Sequence, residues 1–265
     1  MTNKVRDYYN NHAKEEEERL DFHAFELPVT MHYISRYLPP GSKILDIACG
    51  TGRYAEALLE QDYLLGLNDI SDQNIRFVKE KFGNNENILF MERSDARTSM
   101  TWQREKWDGI LLLGPLYHLQ ERKERLGLLK MAEHYVQKGG VVFSAFMTRT
   151  GALIYGLKNN PGGILNEDGT KKLWEQGHDE TFIEKTEHFE NSYFSNPAEI
   201  HPLIEEARLT PLHLIGIEGI FGERFELYHN LPVKEKEAWL KFIIKNGEEQ
   251  PIIHNSKHML SVSTK

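Results

Sequence analysis

The sequence predicts an α/β fold, a mostly parallel sheet with helices packed on both faces. Three observations carry this expectation. From residue 43 onward, short apolar runs alternate with segments of helical spacing. The first run ends in a glycine-rich turn that opens directly into a helix. The apolar runs are continuous, as in strands buried on both faces, where half-exposed strands would alternate with polar residues.

In order, Lys43–Ala48 reads as a buried strand, and Arg53–Gln61, with Ala55, Leu58 and Leu59 at helical spacing, as the helix that follows. Tyr63–Leu67 is a second strand, closed by Asn68-Asp69, after which Ser71 or Asp72 caps a helix to about Phe82. Asn87–Met91 is a short third strand, and Trp107–Leu113 a fourth, apolar enough to be central. A helix over Glu121–Gln137 stops at Lys138-Gly139-Gly140, and Val141–Phe146 is the fifth strand. Residues 147–195 break the alternation: they are rich in turn residues, yet hold Trp174, Phe182, Phe189, Tyr193 and Phe194. Such a segment is expected as an inserted cap over a site. Pro197–Leu209 is helical, Leu212–Ile217 a strand, Val233–Asn246 an amphipathic helix and His258–Ser263 a last strand, making a sheet of seven. Residues 1–42 form a helical lead-in bounded by Pro39-Pro40-Gly41, and residues 43–265 the main domain.

The 265 residues suffice for one large domain with a cap, and 40% hydrophobic against 27% charged is ordinary for a chain that buries a core. Forty acids against 32 bases give a net charge of −8, which disfavours binding to a phosphate backbone. The single cysteine, Cys49, excludes an intrachain disulfide and fits a reducing, cytoplasmic setting. The polar stretch from Thr2 to Arg19 lacks a secretory apolar core, and no run approaches the roughly 20 apolar residues of a membrane span.

Gly50-Thr-Gly52-Arg-Tyr-Ala55 matches G-x-G-x-x-A, a turn that lets backbone approach a nucleoside-type ligand. Asp69, about 17 residues after Gly52, is placed to meet a ribose on the second strand. Asp46, inside the first strand's end, would repel a pyrophosphate but attract the ammonium of a methionine moiety. Asp95, just after the third strand, is placed to accept from an adenine amino group. Three acids at successive strand ends suit a cationic, phosphate-free nucleoside better than NAD.

Leu45-Asp-Ile-Ala-Cys-Gly-Thr-Gly52, Gly66-Leu-Asn-Asp-Ile-Ser71, Ser94-Asp-Ala96, Asp108–Gly114 and Leu129–Phe143 together resemble the motif series of class I, Rossmann-like methyltransferases dependent on S-adenosylmethionine. The resemblance covers about residues 40–146. It implies an enzyme that binds S-adenosyl-L-methionine and releases S-adenosyl-L-homocysteine. By that likeness Gly50 and Gly52 line the methionine part, Asp69 holds the ribose hydroxyls and Ile70 packs on the adenine. Asp95 and Ala96 read the adenine edge, and Leu113 offers its carbonyl. Ala48 stands where many members have glycine, and Asn68 adds a residue before Asp69. The lead-in, with Tyr8-Tyr9 and Arg19, resembles an N-terminal lid helix whose Tyr9 or Arg19 meets the cofactor carboxylate.

For the acceptor, Gly114-Pro-Leu-Tyr-His118 follows the fourth strand and is not the Asn-Pro-Pro-Tyr of amino-directed nucleic-acid methyltransferases. Tyr117-His118 is similar to small-molecule members with a histidine here. A neutral His118 imidazole has the chemistry to take a proton from a hydroxyl or thiol. His178-Asp-Glu180 and His188 read as surface residues, and no cluster of acids for a metal stands out in the sequence. The expected activity is methyl transfer to a small molecule through oxygen, nitrogen or sulfur. The alternatives are an RNA-directed methyltransferase, a non-catalytic cofactor-binding module and a dehydrogenase.

Overall fold

The computed structural model describes residues 3–12, 24–99, 105–178, 192–222 and 224–265. Among the described residues, α1 (Asn3–Asn11) and α2 (Glu26–Tyr37) precede β1 (Lys43–Ile47). Alternation then runs through α3 (Arg53–Leu59), β2 (Leu64–Asp69), α4 (Asp72–Phe82), β3 (Ile88–Arg93), β4 (Trp107–Leu112), α5 (Arg122–Tyr135) and β5 (Val136–Thr148). Helices α6 (Arg149–Asn159) and α7 (Glu167–Gln176) follow, then β6 (Phe194–Ser195), α8 (Ile200–Glu206) and β7 (Thr210–Gly216). The described chain ends with α9 (Phe225–His229), α10 (Val233–Asn246), α11 (Gln250–Asn255) and β8 (His258–Thr264).

The sheet runs β3-β2-β1-β4-β5-β8-β7. β1 to β5 are parallel, and β8 is antiparallel to both its neighbours. The seven-strand path is the one expected. The two-residue β6 is an addition, donated by the end of the 147–195 segment and paired with the tip of β5.

Successive residues of the central strands are buried on opposite faces. Leu111 and Phe143 pack with Phe25, Ile34 and Leu65 on one side, while Ile110, Leu112 and Val142 pack with Leu129 and Ile204 on the other. A strand with two buried faces has no polar period, which is why these runs read as continuous. β3, at the edge, is only half-buried.

Most boundaries match the sequence reading within two residues, and Ser71 caps α4 by accepting from Asn74 N at 3.1 Å. The junction of α5 and β5 differs. The strand begins at Val136, five residues before the expected start, because residues 137–140 form a bulge between the pairs Trp107↔Val136 and Gly109↔Val141. Gly140 is required there: a Cβ would sit 2.8 Å from the Asp108 carbonyl oxygen.

The chain leaves β1 for β2 and β3 on one side and returns to β4 and β5 on the other. The order therefore reverses between β1 and β4, where open α/β sheets bind ligands beyond the strands' carboxyl ends. No helix of the described residues is long and apolar enough to cross a membrane.

Candidate active site

A cavity opens at that reversal. Asp46, Ala48, Cys49, Gly50 and Thr51 from the end of β1, Asp69 and Ile70 from β2, and Leu113 and Gly114 from β4 form much of its wall. Tyr9 of α1, Glu26 and Thr30 of α2, Tyr54 of α3, and His118, Ile217 and His258 complete it. Eight residues expected from sequence are thereby brought together: Tyr9, Asp46, Ala48, Gly50, Asp69, Ile70, Leu113 and His118.

Gly52, Asp95 and Ala96 are not among the residues of the wall. Gly52 serves the turn: it is left-handed (φ 84°), and a Cβ there would meet the Phe82 and Val78 side chains within 2.8 Å, so its absence lets α4 pack against the turn. Asp95 is engaged by Arg97, whose Nη2 donates to Oδ2 at 2.7 Å and whose Nε donates to Oδ1 at 3.1 Å. Ala96 is buried beside Leu45 and Trp107 in the core. Arg19, Asp179, Glu180 and His188 lie outside the described residues.

The acids differ in how they are held. Each Asp69 oxygen accepts a backbone N–H, from Gly50 at 2.9 Å and from Ser71 at 2.7 Å. Burial raises the Asp69 carboxyl, and these bonds, with Asn74, oppose the rise. Asp46 is only 2% exposed, and its Oδ2 has no hydrogen-bond partner among the described residues. Burial, reinforced by the charge of Asp69, pushes Asp46 up to about 7. A buried, unsatisfied carboxylate on a cavity wall is costly unless a donor or cation arrives.

The walls around it fit a nucleoside bearing an ammonium. Gly50 is left-handed (φ 56°) with open space where a Cβ would project, so the backbone offers itself directly to a ligand. Ala48 also takes a left-handed conformation (φ 71°), which accounts for the glycine that related motifs carry there. This strain costs about 1–2 kcal/mol, against about 0.5–1 kcal/mol for the extra freedom glycine has when unfolded. Ala48→Gly is therefore expected to stabilise the protein by roughly 0.5–1 kcal/mol, seen as a Tm rise of a few degrees. A lower Tm would contradict the strain assignment.

Helix α1 adds Val5 and Tyr9 to the cavity wall. Tyr9 Oη lies 2.9 Å from His118 Nε2, with the rings edge to face, and Ser71 Oγ donates to Asn10 Oδ1 at 2.7 Å. Tyr117 Oη donates to the Leu113 carbonyl at 3.3 Å, and Tyr193 N donates to the Tyr117 carbonyl at 2.7 Å. The latter bond links the end of the 147–195 segment to the site. None of the described residues 149–178 lines the cavity, and Trp174 is exposed. Cys49 is buried, and burial, with Asp69 and Asp46 nearby, raises its thiol well above the ordinary value, so it stays protonated.

Sequence reading missed Glu26, Thr30, Tyr54, Asn74 and His258 on the wall, and Glu218 behind it. Tyr54 lay inside the glycine motif itself, as one of its variable positions. Nothing local marks Glu26 or His258, which meet across more than 200 residues. With Glu218 they place three ligand-type atoms within 4.8 Å of one another, an acid–histidine cluster that the sequence did not reveal.

Residues 44–140 match the family model of a methyltransferase domain. Over 209 residues the chain is 23% identical to the ubiquinone biosynthesis O-methyltransferase of Pasteurella multocida, covering 71% of this chain and 75% of that one. It is 31% identical over 110 residues to malonyl-[acyl-carrier protein] O-methyltransferase 2 of Ilyobacter polytropus, covering 39% of each. The match thus spans three quarters of the first relative's length and about two fifths of the second's. In fold it is similar to the 1,6-didemethyltoxoflavin-N1-methyltransferase of Burkholderia thailandensis, solved with 1,6-didemethyltoxoflavin and S-adenosylhomocysteine. That similarity has a TM-score of 0.58 at 13% identity, over 99% of this chain and 87% of that one. The strand order and the cavity at its reversal agree with this match: residues 44–140 carry a methyltransferase domain, set in a fold shared with S-adenosylmethionine-dependent methyltransferases.

Proposed function

We propose that the protein transfers the methyl group of S-adenosylmethionine to a small-molecule acceptor inside this cavity. The observation that carries the reading is Asp46: a buried carboxylate with an unsatisfied oxygen, one turn from the open face of Gly50, suits an ammonium and repels a phosphate. When bound, the cofactor supplies an already activated sulfonium methyl, so placement of the acceptor in line with it does most of the catalysis. Asp46 would hold the ammonium, Asp69 the ribose hydroxyls, Ile70 the adenine face, and Gly50 and Ala48 the methionine backbone. Gly52 would keep the turn open, while Asp95, engaged by Arg97, and Ala96, buried in the core, stand off the cavity wall.

Helix α1 acts in this reading as a lid, latched by Tyr9 to His118 and by Asn10 to Ser71, and residues 192–195 brace the acceptor side through the Tyr193–Tyr117 bond without lining the cavity. A small acceptor is favoured by the covered cavity and by the net charge of −8, which opposes an RNA substrate. Relatives named for ubiquinone biosynthesis and for a toxoflavin precursor support the same class of acceptor. His118 lines the cavity beside Tyr9. His118→Ala is expected to lower turnover at least tenfold through lost positioning of the acceptor, with cofactor affinity unchanged. Equal turnover would leave His118 as the lid latch alone.

The deciding experiment pairs calorimetry with a methyl-donor assay against a metabolite library, read by mass. Binding of S-adenosylhomocysteine without NAD binding, and a +14 Da product, support the reading. Affinity without any product would leave a cofactor-binding module, and NAD binding would return the dehydrogenase.

A further inference from the structure

The cofactor reading leaves one cluster on the cavity wall without a task. Glu218 follows the end of β7 and is fully buried. Its Oε2 accepts the backbone N–H groups of Lys257 and His258, both at 2.9 Å. Its Oε1 lies 2.5 Å from His258 Nδ1, and Glu26 Oε1 lies 3.1 Å from the same nitrogen. The turn that brings them together is itself pinned: Gly219 N donates to Ser256 Oγ at 2.7 Å, and Thr148 Oγ1 donates to the Ser256 carbonyl at 2.6 Å.

Burial raises the Glu218 carboxyl, but the N–H groups that donate to its oxygens outweigh it and hold the carboxyl below its ordinary value. An ionised carboxylate only accepts, so the proton between the two groups belongs to Nδ1. The basic nitrogen of the ring is then Nε2. His258 opens β8 opposite Met147, near the carboxyl end of β5, and shares a cavity wall with Asp46, Ala48 and Leu113. His118 meets a tyrosine hydroxyl, whereas His258 is oriented by carboxylates, the arrangement that fixes a tautomer and steadies an imidazolium as it forms.

We propose that His258 is the base that takes the proton of the methyl acceptor, with Glu218 as its positioning residue, and that the acceptor bears a phenolic hydroxyl or a thiol. The proposal rests on the methyl-transfer reading above. The acceptor oxygen or sulfur attacks the sulfonium methyl; a new bond to carbon forms as the carbon–sulfonium bond breaks, and its electron pair leaves with sulfur as a neutral thioether. The acceptor's proton passes to Nε2 of His258, and the resulting imidazolium is faced by Glu218 and Glu26. A base so placed contributes about 10²–10⁴-fold.

The test uses the full chain saturated with S-adenosylhomocysteine. Calorimetry comes first: wild type and His258→Gln should bind the product equally. Failure of the wild type to bind would overturn the methyl-transfer reading and this proposal with it, whereas weakened binding by the variant alone would overturn this proposal only. Nitrogen-15 spectra of labelled histidine then need no acceptor. The signal lost in His258→Gln should be the Nδ1–H tautomer and should change in Glu218→Gln, whose fold is checked by circular dichroism. An Nε2–H tautomer would overturn the assignment. So would saturable broadening of that signal by added Mn²⁺, which would make the cluster a divalent-cation site. On the acceptor found by mass, His258→Gln should lower kcat about 100-fold while KM stays within about threefold, the pattern of a group acting in the transition state. An unchanged kcat would refute it.

Discussion

Asp46→Asn is expected to weaken S-adenosylhomocysteine binding at least tenfold at pH 8 and to flatten its pH dependence. A hydrogen bond to a charged group contributes about 1.5–3 kcal/mol, a factor of roughly 10 to 150. In the free protein, burial and the Asp69 charge hold Asp46 up at about 7, and the cavity also presents Glu26 and Arg53. An arriving ammonium favours the ionised form and so lowers that value. Below about pH 7 binding must therefore release a proton, and affinity rises with pH until Asp46 is ionised in the free protein. Calorimetry across pH 5.5–8.5 in buffers of different ionisation enthalpy reads both effects. Proton release that persists in Asp46→Asn would remove Asp46 from the ammonium site.

The same residue makes an opposite prediction for stability. Its folded value is raised, so the folded state binds more protons than the unfolded one between about 4 and about 7, and stability falls as pH rises through that window. Asp46→Asn removes the ionisation and should raise the Tm of the free protein at pH 8, with the gain shrinking towards pH 5. The substitution thus harms binding and helps folding, which separates a functional carboxylate from a structural one.

Glu218→Ala is expected to be the most destabilising of these substitutions, by about 3–5 kcal/mol, because it removes a buried acceptor shared by several donors, each costing about 1–3 kcal/mol when left unsatisfied. It leaves the backbone N–H groups of Lys257 and His258 without their acceptor in a site with no exposure. For a chain of this size that corresponds to a fall in Tm of roughly 10 °C. The carboxyl is held below its ordinary value of 4.5, so its contribution is complete above that pH and is lost on acidification through the lower folded value. The wild type should therefore lose part of its advantage over Glu218→Ala in acid. A Tm within a degree or two of wild type would show that the cluster carries little of the fold.

Much of the sheet was legible because its signals are local. A strand buried on both faces is a continuous apolar run, and a turn that approaches a ligand needs glycine; both lie within a dozen residues of sequence, as Lys43–Gly52 does. Leu45, Ile110 and Val142 announce buried strands by themselves, and Ser71 announces its helix by its capping oxygen. The five-residue error at the start of β5 came from a bulge that is defined only by the pairing of Val136 and Val141 with Trp107 and Gly109 of another strand.

By itself, then, the sequence determined the strand–helix alternation of the first half, the glycine turn and the presence of acids at strand ends, and through the motif series the cofactor. Only the tertiary structure decided what each acid does. Asp46 and Asp69 share a wall, yet one is saturated by backbone donors and the other is left with an unsatisfied oxygen. Asp95, indistinguishable from them in sequence, is taken up by Arg97. Glu26, Glu218 and His258 come from three distant segments and acquire chemistry only when the sheet closes. The physical reason is common to all: a side chain's composition is local, whereas its partners, its desolvation and hence its proton affinity belong to whatever the fold places around it.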